Sequence, residues 1–199
     1  MWTSVTDLGD SAVTLPLAAA TFAFLALSGW RRGALVFATA VLGCGAVIGL
    51  SKLVLESCGQ RLIVGAVNPS GHVAMSTVVY GSLAVLLGSA SPPPWRWSLI
   101  VMAALLAAGI GASRVVLGAH SPVEVASGFT IGLVAAIVFD RLLHAGPIKP
   151  LRLRWLAGAA LVIILAMHGS RWPIEETIRS VVALLRHHVP QCAATVKVG

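Results

Sequence analysis

Long apolar runs alternate with short polar connections along most of the chain. Most of these runs hold roughly 18 to 23 residues, enough for a helix that rises about 1.5 Å per residue to cross a hydrocarbon core of roughly 30 Å. The last run is shorter than the others. The pattern predicts six membrane-spanning helices: Ser11–Gly29, Gly33–Leu55, Pro69–Ala90, Trp95–Leu117, Pro122–Leu143 and Trp155–His168.

The next stretch, RWPIEETIRSVVALLRHHV, has a different pattern, with an apolar face and a charged face. A helix drawn over it places Ile174, Ile178, Val181, Val182 and Leu185 on the apolar face. Such a helix either lies in the membrane interface or packs on the bundle as a further element. We expect an all-α integral membrane bundle of six transmembrane helices in residues 1–168, followed by an extracytoplasmic tail with an amphipathic helix in residues 169–199.

Composition agrees with a membrane protein. The chain is 57% hydrophobic and only 11% charged, whereas a soluble domain is roughly 25% charged. The formal net charge of +7 would suggest nucleic-acid binding in a soluble protein. Here the basic residues cluster in short loops between apolar runs, so we attribute the charge to membrane topology and expect no nucleic-acid partner.

The loop charges also predict an orientation. One side receives seven cations, and the short loops of the other side receive three cations and four carboxylates. The seven are Arg31, Arg32, Arg96, Arg141, Lys149, Arg152 and Arg154. Cytoplasmic loops carry an excess of Lys and Arg. We therefore expect the protein to lie in a bacterial inner membrane with this side facing the cytoplasm. Both chain ends would then be extracytoplasmic, although four further cations in the tail weaken the contrast.

Polar residues collect on the predicted outer side. Lys52 lies near the end of the second helix, VNPSGH opens the third, and SRVVLGAHSPVE joins the fourth to the fifth. A charge near the bilayer centre costs on the order of 2.5–3.5 kcal/mol, so such residues sit near helix ends or face a wet cavity. Cations and histidines gathered at one face suggest a site for an anion.

The NPSGH stretch has the chemistry of an anion cradle. Asn68 is a suitable N-cap, and Pro69 suits the first helical position, where its missing N–H costs nothing. The backbone N–H groups of Ser70, Gly71 and His72 would then point outward at the positive end of the helix dipole. The alternative is an ordinary helix start with an interfacial histidine.

The SRVVLGAHSPVE stretch pairs a histidine with a carboxylate. If the fifth helix begins near Ser121, Glu124 lies one turn inside it and reaches back to His120. A carboxylate that accepts the Nδ1 proton would fix the tautomer and leave Nε2 free as a nucleophile. The alternative is a capping box from Ser121 to Glu124, which needs no chemistry. The two roles are compatible.

These three stretches resemble the signature of a known family, the type 2 phosphatidic acid phosphatases. The resemblance rests on Lys52, PSGH at Pro69–His72, and Ser113, Arg114, His120 and Glu124. It implies a membrane-embedded phosphatase that needs no metal or other cofactor, with a core like that of vanadium haloperoxidases. Two departures stand out. Arg61 follows Lys52 at a longer spacing than the family's and precedes Leu62 instead of Pro, and Glu124 stands where Asp is usual.

The residues and the resemblance assign the same roles. Lys52, Arg114 and, if it reaches, Arg61 would hold the phosphoryl oxygens with help from Ser70 and Gly71, because charge on those oxygens is what the site must stabilise. His120 has an acid partner and His72 has none nearby in sequence. We therefore expect His120 to form a phosphohistidine and His72 to protonate the leaving oxygen. The substrate would be a membrane lipid phosphate or diphosphate.

Two other functions fit parts of the pattern. A lipid phosphotransferase would use the same phosphohistidine with an acceptor other than water, and a non-catalytic transporter of anionic lipids would use the cations alone. The pattern predicts no oligomeric state. A disulfide between Cys58 and Cys192 is a separate hypothesis, since both fall on the predicted outer side and disulfides persist in oxidising compartments outside the cytoplasm.

Overall fold

A computed structural model of the chain describes residues 1–57 and 67–188. These residues form eight α-helices. They are α1 (Trp2–Asp7), α2 (Ser11–Leu27), α3 (Arg31–Ser57), α4 (Gly71–Ser89), α5 (Pro93–Val116), α6 (Pro122–His144), α7 (Leu153–Met167) and α8 (Ile174–His188).

The helical membrane bundle predicted from the sequence is confirmed. Within the described residues, five spans are long and apolar enough to cross a membrane: Trp2–Leu27, Arg31–Glu56, Gly71–Ser89, Pro93–Val116 and Pro122–His144. The first span begins earlier than predicted because α1 precedes α2. The predicted sixth helix forms as α7, whose 15 residues correspond to about 22 Å, less than the hydrocarbon thickness. The amphipathic segment forms α8 and packs along α3.

Helix α4 forms the centre of the bundle. It contacts α2, α3, α5 and α6, and its buried side chains are apolar or small around the whole helix, as expected of a helix enclosed by others. The core continues into α3 and α6, where the rings of Phe37 and Phe139 pack edge to face with centroids 5.8 Å apart. Side chains on the outer faces, including Leu42, Leu105 and Leu161, remain exposed and form a surface suited to lipid.

Small residues let α6 approach α4 closely. A Cβ atom added at Gly128 would collide with the carbonyl oxygen of Ser70, and one added at Gly132 would collide with that of Ala74. Contacts between backbones at this range are typical of small residues spaced four apart in membrane helices. Because Gly128 lies within the first two turns of α6, this contact sets the beginning of α6 against the beginning of α4.

Candidate active site

A cavity of about 780 Å³ opens at the end of the bundle where α4 begins. Its walls come from α1, the start of α2, the second half of α3, the start of α4, the end of α5 and residues 171–178. Four residues singled out from the sequence line it: Lys52, Gly71, His72 and Arg114. Residues more than sixty positions apart in the chain therefore share one wall.

The two described cations of the signature reach the cavity from different helices. Lys52 belongs to the last turns of α3 and is only 4% exposed. Arg114 lies in the last turn of α5, where a positive charge also interacts favourably with the helix dipole. Burial strips water from an ammonium group, so an anion in this cavity would gain more from these charges than it would in solvent.

Helix α4 begins two residues later than the sequence predicts. Ser70 is the N-cap, with ψ of 113°, and Gly71 is the first helical residue. The physical reason is that the Ser70 N–H donates to the Glu124 carbonyl over 3.0 Å, which holds Ser70 outside the helix. The prediction of Asn68 as the cap is therefore wrong, and the Asn68 side chain instead donates to Glu56 Oε1 over 2.9 Å.

This geometry also changes the predicted cradle. The Ser70 amide points to α6 and is not available to a ligand. The amides of Gly71 and His72 remain at the start of α4, where first-turn N–H groups have no carbonyl within their own helix. The Ser70 hydroxyl is fully buried and has no hydrogen-bond partner among the described residues. Ser70 immediately precedes Gly71 and His72, which line the cavity, but is not among the lining residues itself.

His120 and Glu124 form the contact proposed from the sequence, and the capping box forms as well. The Nδ1 atom of His120 lies 3.3 Å from Glu124 Oε2. The same oxygen accepts the Ser121 N–H over 2.8 Å, and Ser121 Oγ accepts the Glu124 N–H over 3.3 Å. One carboxylate oxygen of Glu124 therefore both caps the start of α6 and contacts the His120 imidazole. The His120 side chain is only 8% exposed.

Backbone hydrogen bonds connect this pair to the cavity. The chain turns after α5 through Gly118, whose φ of 66° favours glycine. The amides of Ala119 and His120 then donate to the Arg114 carbonyl over 3.0 and 3.3 Å. On its other side, Glu124 is bonded to Ser70 through its own carbonyl. The histidine–carboxylate pair is thus one hydrogen bond from a cavity-lining cation and one from the residue before Gly71.

His72 has a carboxylate partner that sequence reasoning missed. Its Nε2 atom lies 3.4 Å from Asp10 Oδ2, and both side chains are largely buried. Only acids close to His72 in the chain were considered from the sequence, and Asp10 comes from 62 positions earlier. Loop charges had placed Asp10 on the same side of the membrane as His72, but nothing in the spacing indicated which helix end would meet α4.

The connection between α7 and α8, residues 168–173, was also not predicted as part of the site. The Arg171 Nε atom lies 3.1 Å from Asp7 Oδ1. The Trp172 N–H donates to Asp10 Oδ1 over 3.2 Å. This connection therefore closes one side of the cavity by attaching to α1 and to the start of α2.

Some predictions fall on other parts of the chain. Arg61, Cys58 and Cys192 lie outside the described residues, so the third phosphate ligand and the disulfide remain predictions. Cys44 is buried within α3, as expected of a small apolar filler. In residues 1–57 and 67–188, no group of three or more His, Cys, Asp or Glu side chains could hold a metal ion.

Comparison with known proteins gives three findings. The model of the PAP2 superfamily matches residues 58–146. The chain is 30% identical over 188 residues to an uncharacterized 22.5 kDa protein in the cps region of Klebsiella pneumoniae, covering 89% of this chain and 88% of that protein. It is 35% identical over 81 residues to an undecaprenyl-diphosphatase of Sulfolobus acidocaldarius, covering 41% of this chain and 35% of that enzyme. No solved structure matches the chain.

Proposed function

Because this chain belongs to the PAP2 superfamily and is a lipid phosphatase, we propose that it cleaves a lipid phosphate or diphosphate through a phosphohistidine on His120, without a metal. The observation that carries the proposal is the contact of His120 Nδ1 with Glu124 beside a cavity lined by Lys52, His72 and Arg114. The carboxylate holds the proton on Nδ1 and leaves Nε2 as the nucleophile.

The location of this pair matters more than the pair itself. His144 and Asp140, at the other end of α6, form a second histidine–carboxylate pair, with Nδ1 3.2 Å from Oδ1. Asp140 pairs with Arg96 and lines a smaller cavity with it, but the described lining of that cavity includes no lysine and no histidine. The pair at His120 is bonded through its backbone to Arg114 and Ser70, and a phosphoryl-transfer site needs cations and N–H donors near its nucleophile.

The proposed reaction has two steps. In the first, His120 Nε2 attacks phosphorus, the bond from phosphorus to the leaving oxygen breaks, and His72 gives that oxygen a proton. In the second, His72 takes a proton from water, the water oxygen attacks the phosphohistidine, and the phosphorus–nitrogen bond breaks to release inorganic phosphate. Lys52 and Arg114, with the Gly71 amide and the Ser70 hydroxyl, stabilise the charge on the phosphoryl oxygens in both steps. Arg61 is proposed as a further ligand.

The substrate is proposed to be a lipid. The cavity lies at one end of an apolar bundle, and one relative is named an undecaprenyl-diphosphatase, which supports a polyprenyl diphosphate among the candidates. The loop charges support an orientation in a bacterial inner membrane with the cavity and residues 169–199 on the extracytoplasmic side.

The test is phosphate release from a panel of lipid phosphates in detergent, with EDTA and with vanadate. We expect activity to survive EDTA and to be blocked by vanadate, which resembles a five-coordinate phosphoryl group. Brief reaction with a substrate labelled in its terminal phosphate should label the protein, and the label should resist alkali but not acid, as phosphohistidine does.

Two alanine variants make the assignment specific. His120→Ala should lose both turnover and label, whereas His144→Ala, which removes a histidine with the same kind of partner, should keep both. Near-normal turnover by His120→Ala would refute the nucleophile. Strict Mg²⁺ dependence would refute the metal-independent mechanism. Transfer of label to an added alcohol in place of water would identify a phosphotransferase.

A further inference from the structure

Asp10, the N-cap residue of α2, makes contacts beyond those of an ordinary helix cap. Its Oδ1 atom accepts the Ala12 N–H over 2.8 Å, which is the ordinary capping bond of α2, and also the Trp172 N–H over 3.2 Å. Its Oδ2 atom is left for His72, whose Nε2 lies 3.4 Å away. The carboxylate is buried, at 7% exposure, and lines the same cavity as His72.

We infer that Asp10 is a positioning residue that holds His72 in the tautomer and orientation needed to protonate the leaving group. This inference rests on the proposed role of His72 as the general acid. A capping residue needs one oxygen for the helix start, and here the second oxygen faces an imidazole inside the cavity. The Ala12 and Trp172 amides fix the carboxylate plane from two directions, so Oδ2 presents a fixed acceptor.

The Nε2 contact with Asp10 assigns the chemistry to the other nitrogen. In the proposed arrangement the Nε2 hydrogen faces Asp10, and the proton transferred to the leaving oxygen comes from Nδ1. After that transfer, His72 is neutral with its hydrogen on Nε2 and a lone pair on Nδ1. The same Nδ1 atom then accepts a proton from the water that attacks the phosphohistidine. The two histidines therefore use opposite nitrogens: Nε2 of His120 as nucleophile and Nδ1 of His72 as acid and base.

Asp10 also connects distant parts of the chain. The α7–α8 connection reaches Asp10 through the Trp172 amide, so its position affects the same carboxylate that orients His72. Asp7 lines the same cavity but pairs with Arg171, so it offers a matched comparison. Asp7 and Asp10 are both buried carboxylates at the same end of the bundle.

The test compares leaving groups. Asp10→Asn keeps an oxygen for the Ala12 and Trp172 amides and removes the charge facing His72. An alkyl lipid phosphate needs its leaving oxygen protonated, whereas p-nitrophenyl phosphate does not. We expect Asp10→Asn to lower kcat/KM for the alkyl ester, which reports the steps up to departure of the leaving group, at least about tenfold, part of the roughly 10²–10⁴-fold that a positioned general acid supplies. The kcat/KM for p-nitrophenyl phosphate should change little, because its leaving oxygen needs no proton from His72.

Controls separate this inference from the proposed function. His72→Ala should show the same dependence on leaving group more strongly, and if it shows none, the general acid itself is wrongly assigned. If His72→Ala shows the dependence and Asp10→Asn slows both substrates equally, the positioning role of Asp10 is refuted while the proposed function stands. Asp7→Asn should slow both substrates equally, and a selective loss with Asp7→Asn would also refute the inference.

Discussion

Substitution of Gly128 by alanine tests whether the contact between α6 and α4 places the site. The added Cβ atom would lie 3.1 Å from the Ser70 nitrogen and closer still to the Ser70 carbonyl oxygen. Carbon and oxygen atoms ordinarily stay about 3.3–3.6 Å apart even in close backbone contacts, so the helices must separate by on the order of 1 Å. That separation would lengthen the hydrogen bond from Ser70 to Glu124 and displace the adjacent His72.

The expected magnitudes follow from these contacts. Overpacking of this kind costs about 1–3 kcal/mol, and alanine recovers up to about 1 kcal/mol through its helix propensity. The net loss of stability should therefore not exceed about 3 kcal/mol. Activity should suffer more, because a displacement of about 1 Å in a catalytic group can cost on the order of 100-fold.

The assay measures thermal unfolding and kcat in the same detergent. Gly158→Ala is the matched control, since it adds the same methyl group to a membrane helix where a Cβ would meet no atom within 4 Å. Gly158→Ala should unfold at the same temperature or higher and keep full activity. If Gly128→Ala behaves like Gly158→Ala in both measurements, close approach of the two helices does not position the site and this reasoning is wrong.

Three further substitutions test separate parts of the structure. Glu124→Gln keeps an oxygen for the helix cap but removes the charge beside His120. The value of kcat should therefore fall about 10²- to 10⁴-fold with little change in unfolding temperature. A comparable loss of stability would contradict the view that the charge serves catalysis and the oxygen serves the cap. Tyr80→Phe removes the hydroxyl that donates to the Leu8 carbonyl over 2.7 Å, and calorimetry should show a loss of about 1 kcal/mol with kcat nearly unchanged. Asp140→Asn breaks an ion pair with Arg96 at the far end of α6. The free energy of unfolding, measured by thermal denaturation, should change by no more than about 1 kcal/mol, and the rate of phosphate release should be unaffected.

The sequence predicted the helices well because a membrane imposes a simple rule. Apolar runs of sufficient length must be helical where no water can bond to the backbone, so the helix ends agree with the structure to within a few residues. The cap of α4 was assigned to the wrong residue. It lies at Ser70 and not at Asn68, and the Ser70 N–H donates to the Glu124 carbonyl in a tertiary hydrogen bond that no local signal reveals.

The candidate site likewise combines one contact that the sequence predicted with others that it did not. The contact of His120 with Glu124 spans one helical turn, so spacing alone predicted it. The contact of His72 with Asp10 depends on how α2 packs beside α4, and sequence patterns do not specify the neighbours of a helix. Arg171 and Trp172 were missed for the same reason, since the apolar face of α8 allowed attachment to the membrane or to the bundle and did not indicate which helix ends it would meet.

The cavity wall draws on residues from both α1 and α8, including Thr3 and Glu176. The first and the last described helices therefore border the same opening, and a movement that widens the cavity on this side would change the distance between them. A pair of spectroscopic probes at these two positions would thus read out opening and closing directly, in intact protein and without any chemical turnover.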